Sequence, residues 1–296
     1  MARTAIQTIG VVGAGQMGAG IAFVSALAGC EVLLYDIHAG SLEAALERIH
    51  KGYAKHIQEC PIPGREGESP LKRIRTTQSL DDMVDRHLIL EAAPEILEIK
   101  CNLFRQLGTI CKPEVVFASN TSSISITKLG AMSGRDAQVA GMHFMNPVPV
   151  MKLVELIRGL RTSHETISLL TGLAERMGKI VVESKDSPGF IVNRLLMPMI
   201  NEAIFALAES IATAEMIDKA MTYGTNHPIG PLALADRIGL DTVLNICEIL
   251  HRELGDQKFR PCPLLRKYVE AGWLGRKSGR GFYTYQPSSP CQDITT

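Results

Sequence analysis

The sequence predicts an α/β chain, with a doubly wound, mostly parallel sheet first and an all-helical C-terminal domain after it. From residue 6 to about 185, short β-rich runs alternate with helical patterns, as in a parallel sheet covered on both faces. A glycine cluster, Gly10 to Gly20, sits where the first strand gives way to the first helix. After "DSPG" (186–189) strand signals stop and long helical periodicities take over. A chain of 296 residues, 46% of them hydrophobic, has ample material for two such domains.

The elements follow in order. "TIGVVG" is the first strand, Met17 to Gly29 the first helix, "EVLLYD" the second strand, and Ser41 to about Lys55 the second helix. "CPIPGREGESP" (60–70) is a loop, dense in the two residues that break regular structure. Strands are expected at "HLILEA", "EVVFAS", "QVAGMHF", "KLVELI" and "KIVVES". Residues 162–178 should be helical, opened by a capping box from Thr162 to Glu165 and closed by Gly178. In the second region, Val243, Ile246, Cys247, Leu250 and Leu254 line one face of a helix. The boundary is placed near Ser187, giving domains 1–187 and 188–296.

Composition narrows the function. Thirty-one basic residues balance thirty-one acidic ones, so no overall field favours nucleic acid or an anionic membrane. The seven cysteines are scattered and never form C-x-x-C, which argues against a disulfide framework and a zinc site; no metal is expected and a reducing, cytoplasmic setting fits. Residues 5–30 carry no charge and superficially resemble a signal peptide or a membrane span. Their glycines instead mark a βα unit buried against a sheet.

Gly13-Ala14-Gly15-Gln16-Met17-Gly18 follows a strand and opens a helix, and Asp36 ends the next strand. In this Rossmann-type context Gly13 allows the tight turn, Gly15 lets a pyrophosphate approach the helix N-terminus, and Gly18 allows close packing. Gln16 and Met17 lie on the same turn. Asp36 can bond both ribose hydroxyls and would repel a 2′-phosphate, so NAD is expected over NADP. The alternative is a glycine-rich packing turn.

Ligands of open α/β sheets collect at the carboxyl ends of the strands. There "HLILEAAPE" delivers Glu95, "VVFASNTSS" delivers Asn120 and Ser122, and "VAGMHF" delivers His143. Ser122 and Ser123 read equally as helix caps, and Asn120-Thr121-Ser122 matches a glycosylation sequon that would require secretion. Glu155 falls on an apolar face of "MKLVELI", where an unpaired charge costs several kcal/mol. It is either an edge-strand or arginine-paired glutamate, or the partner of His143. The second holds if "NPVP" (146–149) reverses the chain, and a histidine braced by a carboxylate suits proton removal while hydride leaves for NAD.

With these residues in place, the chain resembles the L-3-hydroxyacyl-CoA dehydrogenase family, most of all its bacterial-type members acting on 3-hydroxybutyryl-CoA. The resemblance covers nearly the whole chain and rests on "GVVGAGQMGAGIA", "FASNTSS", "GMHFMNPVPVMKLVELI", "DSPGFIVNRLL", "GPLALADRIGLD" and "GRKSGRGFYTY". It implies His143 as catalytic base with Glu155 as partner, and Ser122 and Asn193 around the substrate's 3-oxygen. It also implies Glu95 and Lys100 near the nicotinamide, Asn120 at the cofactor, and a homodimer formed through the helical domain. The family's helical hairpin after the second strand helps hold coenzyme A, and here Pro61, Pro63, Gly64 and Gly67 interrupt it. Lys51, Lys55, Lys72, Arg73 and Arg75 still offer cations for the phosphates, or form only a solvated basic face. Related 3-hydroxy substrates, a dicarboxylic acyl-CoA or a sugar acid, remain open, as does a non-catalytic NAD-binding protein.

Overall fold

The computed structural model describes residues 5–59 and 69–285. The chain divides into two compact units, Met1–Phe190 and Ile191–Thr296.

The first unit runs β1 (Thr8–Val12), α1 (Gln16–Leu27), β2 (Glu31–Tyr35), α2 (Ala39–Glu59), β3 (Ile74–Thr77), β4 (Leu88–Glu91), α3 (Leu97–Ile110), β5 (Val116–Ser119), α4 (Ile126–Ser133), β6 (Val139–Phe144), β7 (Leu153–Arg158), α5 (His164–Arg176) and β8 (Ile180–Lys185). The eight strands form one sheet in the order β3-β2-β1-β4-β5-β6-β7-β8. All neighbours are parallel except β6 and β7, which pair antiparallel. The order reverses between β1 and β4, the switch point where such sheets open a ligand crevice.

In the central strands both sheet faces are dry. On β4, Leu88 and Leu90 enter one apolar cluster with Val11, Leu34 and Ala118, while Ile89 enters the other with Val12 and Phe117. That alternation is why these strands read as continuous apolar runs. The charge-free α1 packs into the first cluster through Ile21, Ala22 and Phe23. Among the described residues no helix is long and apolar enough to cross a membrane.

Three local readings change. Ser163, not Thr162, is the N-cap of α5: its hydroxyl accepts from Thr166 N at 3.1 Å. The Thr162 hydroxyl is engaged elsewhere, donating to the Val139 carbonyl at 2.5 Å and accepting from Gly159 N at 2.9 Å, so the proposed capping box cannot form. Helix α2 extends beyond the expected Ser41–Lys55 span at both ends. The edge strand β3, in "RIRTT", carries too little apolar alternation to announce itself. Residues 60–68, most of the expected loop and of the interrupted hairpin, lie outside the described residues.

The second unit contains α6 (Val192–Ala208), α7 (Ala214–Gly224), α8 (Pro231–Ile238), α9 (Leu240–Leu254) and α10 (Pro263–Glu270). Val243, Ile246, Cys247 and Leu250 of α9 are buried in its core, the face that the periodicity marks. Two buried carboxylates close this unit around its last segment. Asp218 accepts from Leu232 N, Ala233 N and the Tyr283 hydroxyl at 2.8, 2.9 and 2.7 Å. Asp236 accepts from Phe282 N, Tyr283 N and the Tyr285 hydroxyl at 3.0, 2.9 and 3.0 Å. Burial pushes the Asp236 carboxyl above the usual carboxylate range against the pull of these donors.

Candidate active site

After β1 the chain turns through Gly13, whose φ of 106° suits glycine, and a Cβ there would sit 2.6 Å from the Ala92 carbonyl oxygen. The turn thus lies directly against the chain leaving β4. A Cβ on Gly18 would collide with the Gly13 carbonyl, so helix and turn close on each other only with glycine there. Gly15, the N-cap of α1, has nothing within 4 Å of where its Cβ would stand, and the first helical turn carries no acidic residue. An open helix N-terminus of this kind receives a pyrophosphate.

Asp36, just past β2, accepts from Ala14 N at 2.9 Å and from His38 N at 3.0 Å. Each carboxylate oxygen keeps a lone pair for a ribose hydroxyl. Gln16 donates to the Asn146 side chain at 3.1 Å, tying α1 to the β6–β7 connection, while Met17 packs on the core. These residues fit a dinucleotide.

Across the switch point stands a polar cluster built on β4, β5 and α3. Glu91, fully buried at the end of β4, accepts from the Lys100 ammonium at 2.5 Å, the Ser119 hydroxyl at 2.6 Å and Ala93 N at 2.7 Å. The Lys100 ammonium, 1% exposed, also donates to the Ala93 carbonyl at 3.0 Å and lies 3.4 Å from Glu95. Glu95 accepts from the hydroxyls of Thr121, Ser122 and Ser123 at 2.5, 3.3 and 2.9 Å and from Ser122 N at 3.0 Å. Burial pushes the Glu91 carboxyl up against its donors. At Glu95 burial acts the same way, but Lys100 and the hydroxyl donors win and hold that carboxyl below its ordinary range.

The strand ends brought Glu95 and Ser122 into the site and the family resemblance added Lys100, while Glu91, Ser119, Thr121 and Ser123 were missed. Ser122 and Ser123 do not cap α4; Ser125 does, accepting from Lys128 N at 3.2 Å.

Asn120 follows β5 and accepts from Phe144 N at 2.8 Å, bracing the end of β6. On β6, His143 stands directly opposite Glu155 of β7 in the antiparallel register. The imidazole Nδ1 and Glu155 Oε2 are 2.7 Å apart, with His143 8% exposed and Glu155 0% exposed. An ionised carboxylate only accepts, so Nδ1 carries the proton and Nε2 becomes the ring's acceptor. The reversal that sets this register is held by the buried Lys179, whose ammonium donates to the carbonyls of Val148 and Met151 at 2.5 and 2.8 Å. Burial lowers the Lys179 pKa. Phe190, at φ 50°, places its ring centroid 5.6 Å from the imidazole.

The comparisons with known proteins agree with this geometry. Residues 8–187 match the model for the 3-hydroxyacyl-CoA dehydrogenase NAD binding domain, and residues 189–285 match that for the 3-hydroxyacyl-CoA dehydrogenase C-terminal domain. The chain belongs to the 3-hydroxyacyl-CoA dehydrogenase family. Family membership makes it an NAD-dependent oxidoreductase of 3-hydroxyacyl-CoA. It is 53% identical to a probable 3-hydroxybutyryl-CoA dehydrogenase of Bacillus subtilis, over 95% of this chain and 98% of that one. It is 50% identical to a 3-hydroxybutyryl-CoA dehydrogenase of Bradyrhizobium diazoefficiens, over 96% of this chain and 97% of that one. The crystal structure of (S)-3-hydroxybutyryl-CoA dehydrogenase from Ralstonia eutropha superposes with a TM-score of 0.91 at 47% identity, covering 96% of this chain and all of that one.

The family resemblance assigns three further residues. Asn193 is buried in the first turn of α6, in the second unit. Lys51 and Lys55 are exposed on α2, and Lys51 pairs with Glu47 one turn earlier at 2.6 Å.

Proposed function

We propose that the chain interconverts (S)-3-hydroxybutyryl-CoA and acetoacetyl-CoA, with His143 as the base and Glu155 as its partner. The 2.7 Å contact between them, at the carboxyl end of β6, is the observation that carries this reading. Glu155 fixes the tautomer that leaves Nε2 ready to take the 3-hydroxyl proton, and stabilises the imidazolium that results. NAD, when bound, would accept the hydride that leaves C3 of the substrate. In the reverse direction the same Nε2 proton returns to the oxygen.

Gly13, Gly15, Gln16, Met17, Gly18 and Asp36 hold the pyrophosphate and adenosine ribose. Glu95, Lys100 and Asn120 shape the nicotinamide end, Lys100 through Glu95 and Asn120 through the end of β6. Ser122 and, on the second unit, Asn193 are assigned to the substrate's 3-oxygen, and Lys51 and Lys55 to coenzyme A phosphates. The first unit is the NAD-binding domain; the second serves the substrate and a homodimer interface. Balanced charge and scattered cysteines support a cytoplasmic setting.

The test is NAD reduction by (S)-3-hydroxybutyryl-CoA, run beside free 3-hydroxybutyrate, a longer-chain thioester and NADP. Turnover is expected with NAD and the short thioester. Preference for the free acid would refute the coenzyme A assignment, and preference for the longer chain would refute the short-chain one.

A further inference from the structure

We propose that Glu91 is a positioning residue that holds the Lys100 ammonium behind Glu95, and that this grouping of two carboxylates around one ammonium sets how strongly the pocket prefers NAD+ to NADH. The inference rests on the cofactor reading above and deepens it.

Asp36 follows β2, on one side of the glycine turn, and takes the adenosine half. The nicotinamide half then extends to the other side of β1, over β4, β5 and β6. The Glu91–Lys100–Glu95 cluster stands there, and the chain leaving β4 touches Gly13.

All three contacts to Glu91 come from donors, and Ser119, which itself accepts from Thr121 N at 3.2 Å, turns its proton to Glu91. That is the pattern of an ionised carboxylate. Lys100 offers three protons, and Glu91, Ala93 and Glu95 surround it, so its charge faces inward. Glu95, the more exposed of the two carboxylates, faces outward with a 31% exposed side chain. One cation between two anions leaves the cluster with a net single negative charge. Oxidised nicotinamide carries a positive charge and reduced nicotinamide carries none, so this field favours the oxidised ring.

The experiment measures Kd for NADH from its fluorescence, and for NAD+ by displacement of NADH. Glu91→Gln neutralises the cluster and frees the ammonium to move against Glu95. The ratio Kd(NAD+)/Kd(NADH) should rise on the order of fivefold. The double variant Glu91→Gln with Lys100→Met restores the single negative charge and should return the ratio to within about twofold of wild type, a rescue that a merely structural role would not give. An unchanged ratio in Glu91→Gln, or no return in the double variant, overturns the proposal. Where Glu91→Gln fails to fold, Lys100→Met alone carries the test with opposite sign: the ratio should fall, and a constant or rising ratio overturns the proposal. Glu95→Gln separates the two readings. If it raises the ratio and Glu91→Gln does not, the Glu91 role falls and the cofactor site stands; if neither moves the ratio, both fall.

Discussion

Replacing Glu155 by Gln keeps the shape of β7 and an acceptor oxygen for His143 Nδ1, but removes the negative charge. The wild-type contact is 2.7 Å long and Glu155 is fully buried, so solvent cannot take over its role. A hydrogen bond to a charged group contributes about 1.5–3 kcal/mol. The charge matters most once the imidazole has taken the substrate proton, so the loss should fall on the barrier. That converts to a fall in kcat of roughly 10- to 150-fold. NADH binding should be unaffected, because β4, β5 and β6 separate β7 from the glycine turn. The assay is steady-state turnover of acetoacetyl-CoA with NADH, beside an NADH titration and a melting curve. A variant that folds, binds NADH and turns over within about twofold of wild type would refute the reasoning.

Two neighbouring glycines should fail differently. Gly15→Ala should fold normally, since its Cβ enters open space, yet weaken NADH binding by about tenfold or more by crowding the phosphate. Gly18→Ala should cost roughly 1–3 kcal/mol in stability, visible as a lower Tm, because its Cβ runs into the Gly13 carbonyl; equal Tm values would contradict this. Asp236 gives a pH signature. Its folded-state pKa lies above the ordinary 3.8, so its contribution to stability is fully present below that value and is lost as pH rises through the folded one. The Tm advantage of wild type over Asp236→Asn should therefore shrink as pH rises above about 4, and an advantage that grows with pH would refute the sign.

Much of the first unit can be read from residues alone because its central strands are buried on both faces and bounded by turn residues. The His143–Glu155 pairing was readable for a different reason: a charge on an apolar strand requires a partner, and the short "NPVP" connection allows only nearby strands to provide one. Glu91 escaped for the opposite reason. At the end of "LILE" it looks like an ordinary polar strand terminus, and the partner that explains it, Lys100, comes from the next helix. That the Asn120 oxygen also braces Phe144 N was not legible, because the two residues meet only across the β5–β6 pairing. The α5 cap shifted by one residue because Thr162 is drawn into bonds with Val139 and Gly159, which no local pattern reveals.

NADH oxidation on adding acetoacetyl-CoA, wild type against His143→Gln, with NADH binding measured on both, decides whether His143 is the base. Rapid oxidation by wild type, slowed on the order of 100-fold or more in a variant that still binds NADH, is the predicted result. Wild type that binds NADH without oxidising it, or a variant that turns over at the wild-type rate, would contradict the assignment of His143 as the base.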